Sequence, residues 1–185
     1  DRREFLTRLV VAPAASAAAG ALPWLVGPSP ASAAAPSQEA KDKENIVKGY
    51  ARLQYLLDNW EEETTVCKTG QETTFGDRCE RTPVKVMEYL GFKSTNDPLF
   101  KAESTMRRLQ SSVPSDREGD FYEAVDAFSQ NAEEANSMAF VSSWGEANPG
   151  GGKDRVRQFI ERSKNNVIAS RDSLRTVMDI LDLKP

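Results

Sequence analysis

Residues 44–60 read ENIVKGYARLQYLLDNW. Ile46, Tyr50, Leu53, Leu57 and Trp60 recur at alternating spacings of four and three. A helix of 3.6 residues per turn sets such positions on one face. Lys48, Arg52, Gln54 and Asp58 fall between them and make a wet face. The pattern predicts an amphipathic helix running to about Thr65, and with it an interior shared with other helices.

The same period returns downstream. Thr82-Pro83 pairs an N-cap residue with proline at the first helical position, so a short helix is expected with Val84, Met87 and Leu90, ending at Gly91. Asn96-Asp97-Pro98 predicts a second start, for a helix carrying Leu99, Phe100, Met106 and Leu109 to about Ser112 before Pro114. Between Asp120 and Trp144 the apolar set is Phe121, Val125, Phe128, Ala132, Ala135 and Ala139. Asn148-Pro149-Gly150-Gly151-Gly152 then reads as a loop. A last helix from Lys153 to Leu183 places Val156, Ile160, Val167, Leu174, Val177 and Leu181 on one face. No segment alternates with period two for long enough to predict a strand. The expected fold is therefore all-α, an up-down four-helix bundle over residues 46–185. It carries a cysteine-bearing loop and a short extra helix between its first and second long helices. Residues 34–45, rich in Pro, Ser, Ala and charge, are expected to form a flexible N-terminal arm.

Upstream of the arm the chain opens on DRREFLTRLVV, a residue run with paired Arg2 and Arg3 ahead of Phe5 and Leu6. It starts at Asp1, so a fragment or partly processed precursor is expected. Leu9–Val26 is uncharged and alanine-rich, and Ala31-Ser32-Ala33 is a small-residue cleavage site. Residues 1–33 thus read as a twin-arginine targeting signal, cut after Ala33. Pro13, Pro23, Pro28 and Pro30 argue against a buried helix there. If the signal were retained, 9–26 would form a single anchor of ~27 Å as a helix, short of a ~30 Å bilayer core. Destinations of this route, the periplasm and the thylakoid lumen, permit disulfides. Cys67 and Cys79, twelve positions apart across a polar loop, are expected to bridge. Two free buried thiols are the alternative.

The chain has no histidine and only two cysteines. That removes His-based triads, His-ligated zinc and di-iron sites, and any four-thiolate cluster within one chain. Two sets of carboxylates remain. Asp58, Glu61, Glu62 and Glu63 lack the spaced oxygen ligands of a calcium loop. Glu123, Asp126, Glu133 and Glu134 share one helix and do not face each other across a cleft as glycoside hydrolysis requires. No catalytic residue, metal or cofactor is expected. The formal net charge of -4 also argues against nucleic acid as a partner.

Binding is the remaining reading. From Lys153 to Lys184 there are eight basic residues against five acidic ones, a local reversal of sign on an acidic chain. Lys153, Arg155, Arg157, Arg162 and Lys164, with Lys41 and Lys43 on the arm, are candidate contacts for an acidic surface. Ordinary solubility charge on a wet helical face is the competing account. Trp144 reads either as a cap on the core or as an interface anchor.

The runs LLDNWEEETTVC, CERTPVKVMEYLG and DPLFKAESTMRRL resemble extrinsic lumenal subunits of photosystem II. These are the PsbQ-type four-helix proteins, and the likeness is to the additional extrinsic subunit of diatoms and related algae. It spans most of 46–183, and its sharpest part is the Cys67…Cys79 pair bracketing its polar loop. The resemblance implies a cofactor-free protein on the lumenal face of the plastid thylakoid membrane. There it would contact the core's lumenal domains and other extrinsic subunits, shielding the oxygen-evolving cluster and helping it retain calcium and chloride. Membrane association would be peripheral, unless the N-terminal segment is kept. An assembly subunit of a thylakoid NADH-dehydrogenase-like complex, or a periplasmic helical enzyme or solute binder, are the competing classes.

Overall fold

The structure, a computed structural model, describes residues 36–68, 78–142, 144 and 152–185. The expected targeting signal (1–33), the interior of the cysteine loop and most of the glycine loop lie outside the described residues. What is described is mostly helical.

Helix α1 spans Gln38–Asp58 and so begins inside the stretch expected to be a flexible arm. The correction has a local cause. Ser37 is the N-cap, its Oγ accepting from Ala40 N at 3.2 Å, and Glu39 complements the helix dipole in the first turn. Lys43 pairs with Glu39 at 2.6 Å, and Ser112 donates to that same carboxylate at 2.7 Å. The decisive residue is Asp42, which is buried. Arg108 donates to both of its oxygens at 2.8 Å, and Gln38 adds a third bond at 2.8 Å. A paired charge can be buried at tolerable cost, and this one ties the first turns of α1 to the chain 66 residues later.

Those hydrogen bonds from Arg108 hold the Asp42 carboxyl below its ordinary range, against the upward push of burial. A depressed folded pKa contributes stability that is present above the unfolded value of ~3.9 and is lost as pH falls through the folded value. Asp42→Asn is therefore expected to cost about 1–2 kcal/mol at pH 7. The difference from wild type should shrink below pH ~4, which urea titrations at pH 7 and pH 3 would measure. An equal difference at both pH values would show that the charge of Asp42 is not what matters.

The buried stripe of α1 is Asp42, Ile46, Gly49, Leu53 and Leu56, continued by Trp60. Tyr50 and Leu57, expected on the same apolar face, are only partly buried and pack against the core. The stripe is rotated because the segment after α3 crosses at Gly49. A Cβ on Gly49 would overlap the buried side chain of Leu99.

After Asn59 a single turn, α2 (Trp60–Glu63), leads into an antiparallel ribbon of β1 (Thr65–Lys68) and β2 (Arg78–Arg81). No strand was expected here. Four residues are too few to display a two-residue period, so alternation could not reveal them. Cys67 lies opposite Cys79 in the register, and their sulfurs are bonded at 2.05 Å. The ribbon is tied back to the helices where Thr82 N donates to Thr64 O at 2.8 Å and buried Thr64 donates its hydroxyl to Trp60 O at 2.6 Å.

Helix α3 (Val84–Tyr89) follows Pro83 and buries Val86 and Met87, whereas Val84 is exposed. It ends in a Schellman motif: Phe92 N donates to Met87 O and Gly91 N to Glu88 O. Gly91 has φ 82° with the backbone of Leu99 and Phe100 against it, a conformation and a clearance only glycine supplies. The expected start at Asn96-Asp97-Pro98 is instead a turn. Asp97 Oδ1 accepts from Leu99 N at 2.8 Å, and the other oxygen meets Arg52 of α1 at 2.8 Å. Left-handed Lys101 then delays α4 to Ala102–Arg108. Two 3-10 turns, Leu109–Ser112 and Ser115–Arg117, flank Pro114 and lead to α5 (Glu118–Ser142).

Every apolar residue expected on the faces of α5 and α6 (Lys153–Ile180), and on the turn after α6, is buried. These two helices make the most extensive pairing in the described chain. Ala132, Ala135 and Ala139 keep the surface of α5 low, and buried Ser163 of α6 reaches Ala135 O at 2.8 Å. α1 packs on α6 and α4, α4 packs on α5, and α3 touches α1 and α5. Among the described residues no helix is long and apolar enough to cross a membrane.

Candidate docking surface

The side chains that join α1 to α6 fix where the basic residues lie. Lys164 sits over the Trp60 ring at 5.5 Å, Arg171 donates to Gln54 at 3.0 Å, and Arg175 lies over Tyr50 at 5.8 Å. The two helices are therefore antiparallel, and the first turns of α6 stand beside the end of α1 and the ribbon. Lys41 and Lys43 are at the other end of α1, ~25 Å away at 1.5 Å per residue. The structure does not bring them together with the basic stretch of α6. Lys43 is also engaged by Glu39, while Lys41 is exposed.

The stretch 153–164 is more coherent. Arg155 and Arg162 both lie over the Phe159 ring, at 5.8 and 5.9 Å, and form one cationic face with an aromatic centre. Arg157 points elsewhere and lines a cleft with Lys153. Lys153 is 4.0 Å from Glu80 on β2, a loose contact. Among the described residues Arg155, Arg157 and Arg162 make no ion pair with a carboxylate. Trp144 is 57% exposed and tilts against the equally exposed Phe140 at 6.2 Å, so it does not cap the core.

Arg81 went unnoticed in the sequence, yet it assembles this end of the molecule. Its guanidinium joins Glu61 of α2 and Glu161 of α6, the latter at 2.9 Å, and fastens β2 to both. No local pattern could have disclosed a pairing across 80 positions. The position beside Cys79 was the available hint.

Part of each carboxylate set is engaged by ordinary partners. Asp126 receives Arg107 at 2.6 Å, and Asp58 receives Gln54 at 2.9 Å. Among the described residues no group of three or more carboxylates or thiols is arranged to hold a metal ion. The chemistry this surface offers is attraction of carboxylates by arginine and lysine, with an exposed aromatic pair at the end of α5. Comparison with protein-family models, curated proteins and solved structures finds no match to this chain.

Proposed function

We propose that the protein is an extrinsic subunit of photosystem II, of the PsbQ type, bound to the lumenal face of the thylakoid membrane without catalysing a reaction itself. In this reading α1, the α3–α4 stretch, α5 and α6 form the four positions of an up-down bundle. The ring of packing from α1 to α6, α5, α4 and back to α1 supports it. The disulfide is in keeping with an oxidising compartment. The observation that carries the docking reading is that Arg155 and Arg162 on one face of α6, and Arg157 in the cleft beside it, have no carboxylate partner among the described residues, on a chain whose net charge is negative. A charged group left unpaired at the surface is free to be paired by another protein.

Docking of this kind should be salt-sensitive, because exposed charges are screened beyond ~8 Å at physiological ionic strength. Arg155→Glu with Arg157→Glu is expected to lower the salt concentration that releases the protein from salt-washed photosystem II particles. Oxygen evolution by the reconstituted particles should follow occupancy. Equal retention of wild type and double variant at every salt concentration would assign these arginines to solubility instead.

A further inference from the structure

Resting on that docking reading, we propose that the cleft between β2 and the opening turns of α6 seats a single carboxylate of the partner, held by Arg157 and Lys153. The cleft is about 190 Å³, and Cys79, Glu80, Arg81, Pro83, Ser142 and Val156 complete its wall. That is below the ~300–1,000 Å³ of small-molecule sites, and it suits one side chain.

Three features favour an anion there. Lys153 and Arg157 are four residues apart on one helical face, where like charges repel unless a negative group lies between them. Among the described residues Arg157 makes no ion pair, and Lys153 makes only the 4.0 Å contact with Glu80. α6 is 28 residues long, and Gly152 caps it without a side-chain bond, so its first N–H groups add positive potential near Lys153.

The occupant carries one charge. Glu80 is itself part of the wall, and Lys153 and Arg157 are the cations of the cleft left to meet an incoming anion, too few to neutralise the backbone of a nucleic acid but enough for an isolated carboxylate. Arg81 is a positioning residue here, because both terminal nitrogens of its guanidinium are already taken by Glu61 and Glu161. Its task is to hold β2 as the wall.

The test is fluorescence anisotropy with a labelled pentaglutamate peptide at low salt, and a pentaglutamine peptide beside it. Wild type should bind pentaglutamate alone. Arg157→Gln should weaken that binding about tenfold, the effect of losing one charged hydrogen bond. Lys184→Gln removes the same charge at the far end of α6 and should change it less than about twofold. Circular dichroism checks that each variant is folded. Equal losses in the two variants, or binding of both peptides alike, would overturn the proposal. The two readings can fail separately. If Arg157→Gln binds the peptide as wild type does while the Arg155→Glu, Arg157→Glu pair still releases from particles at lower salt, the cleft is wrong and docking stands. If the peptide needs Arg157 but the particles retain both proteins equally, the cleft stands and the photosystem reading falls.

Discussion

Replacing both Cys67 and Cys79 by serine is expected to lower the stability of the chain by up to ~3 kcal/mol, the loop-closure contribution for a bridge of this span. The helices should nevertheless remain. The bridge closes a ribbon of only four residue pairs, which a two-stranded sheet cannot sustain alone in water. Without it, the described ties of the ribbon to the helices are the Arg81 pairs to Glu61 and Glu161, the loose Lys153–Glu80 contact and the Thr82–Thr64 bond. The buried residues of α1, α5 and α6 do not depend on it. Trypsin should then cut after Arg81 much faster in the double variant, with little change in far-UV circular dichroism. Loss of helical signal along with the ribbon would mean that the disulfide organises the whole chain.

The largest single effect is expected from Phe121→Ala. Phe121 is the largest of the fully buried side chains and lies in the first turn of α5, edge-on to Tyr122 at 5.8 Å. Truncating a buried phenylalanine costs ~3–5 kcal/mol, part lost transfer energy and part cavity. For a chain of this size that is a fall of about 10 °C in Tm. Calorimetry showing a change under ~3 °C would mean that the α5 end of the core can collapse around the gap.

The difference between these two sites mirrors what could be read from the residues. The stripes of α5 and α6 were legible because each is long and its burial follows one period: Phe121 to Ala139, and Val156 to Leu181, are all buried. Where a long-range contact decides, periodicity failed. Asp42 looked like one more charge on a polar arm until Arg108, 66 residues away, supplied its partner. Gly49 displaced Tyr50 from the core because Leu99 needs the space. The start predicted at Asn96-Asp97-Pro98 is a turn instead: Asp97 accepts from Leu99 N with one oxygen, meets Arg52 with the other, and α4 waits until Ala102.

Asp97 also shows the opposite electrostatic sign from Asp42. Burial pushes its carboxyl up, and the Leu99 amide and Arg52 only partly oppose it. The basic candidates were legible as a list but not as a surface. Nothing in the order of residues could separate Lys41 and Lys43 from Lys153–Lys164, or divide the arginines between the Phe159 face and the cleft.

The role proposed for the protein is that of a binding subunit of one thylakoid complex, held there by charge. The most direct measurement is native electrophoresis of gently solubilised thylakoids, probed for this protein before and after a salt wash. Co-migration with photosystem II, abolished by the wash and restored by adding the wild-type protein back, is the predicted result. Migration with an NADH-dehydrogenase-like complex, or alone at its own mass before any wash, would contradict it.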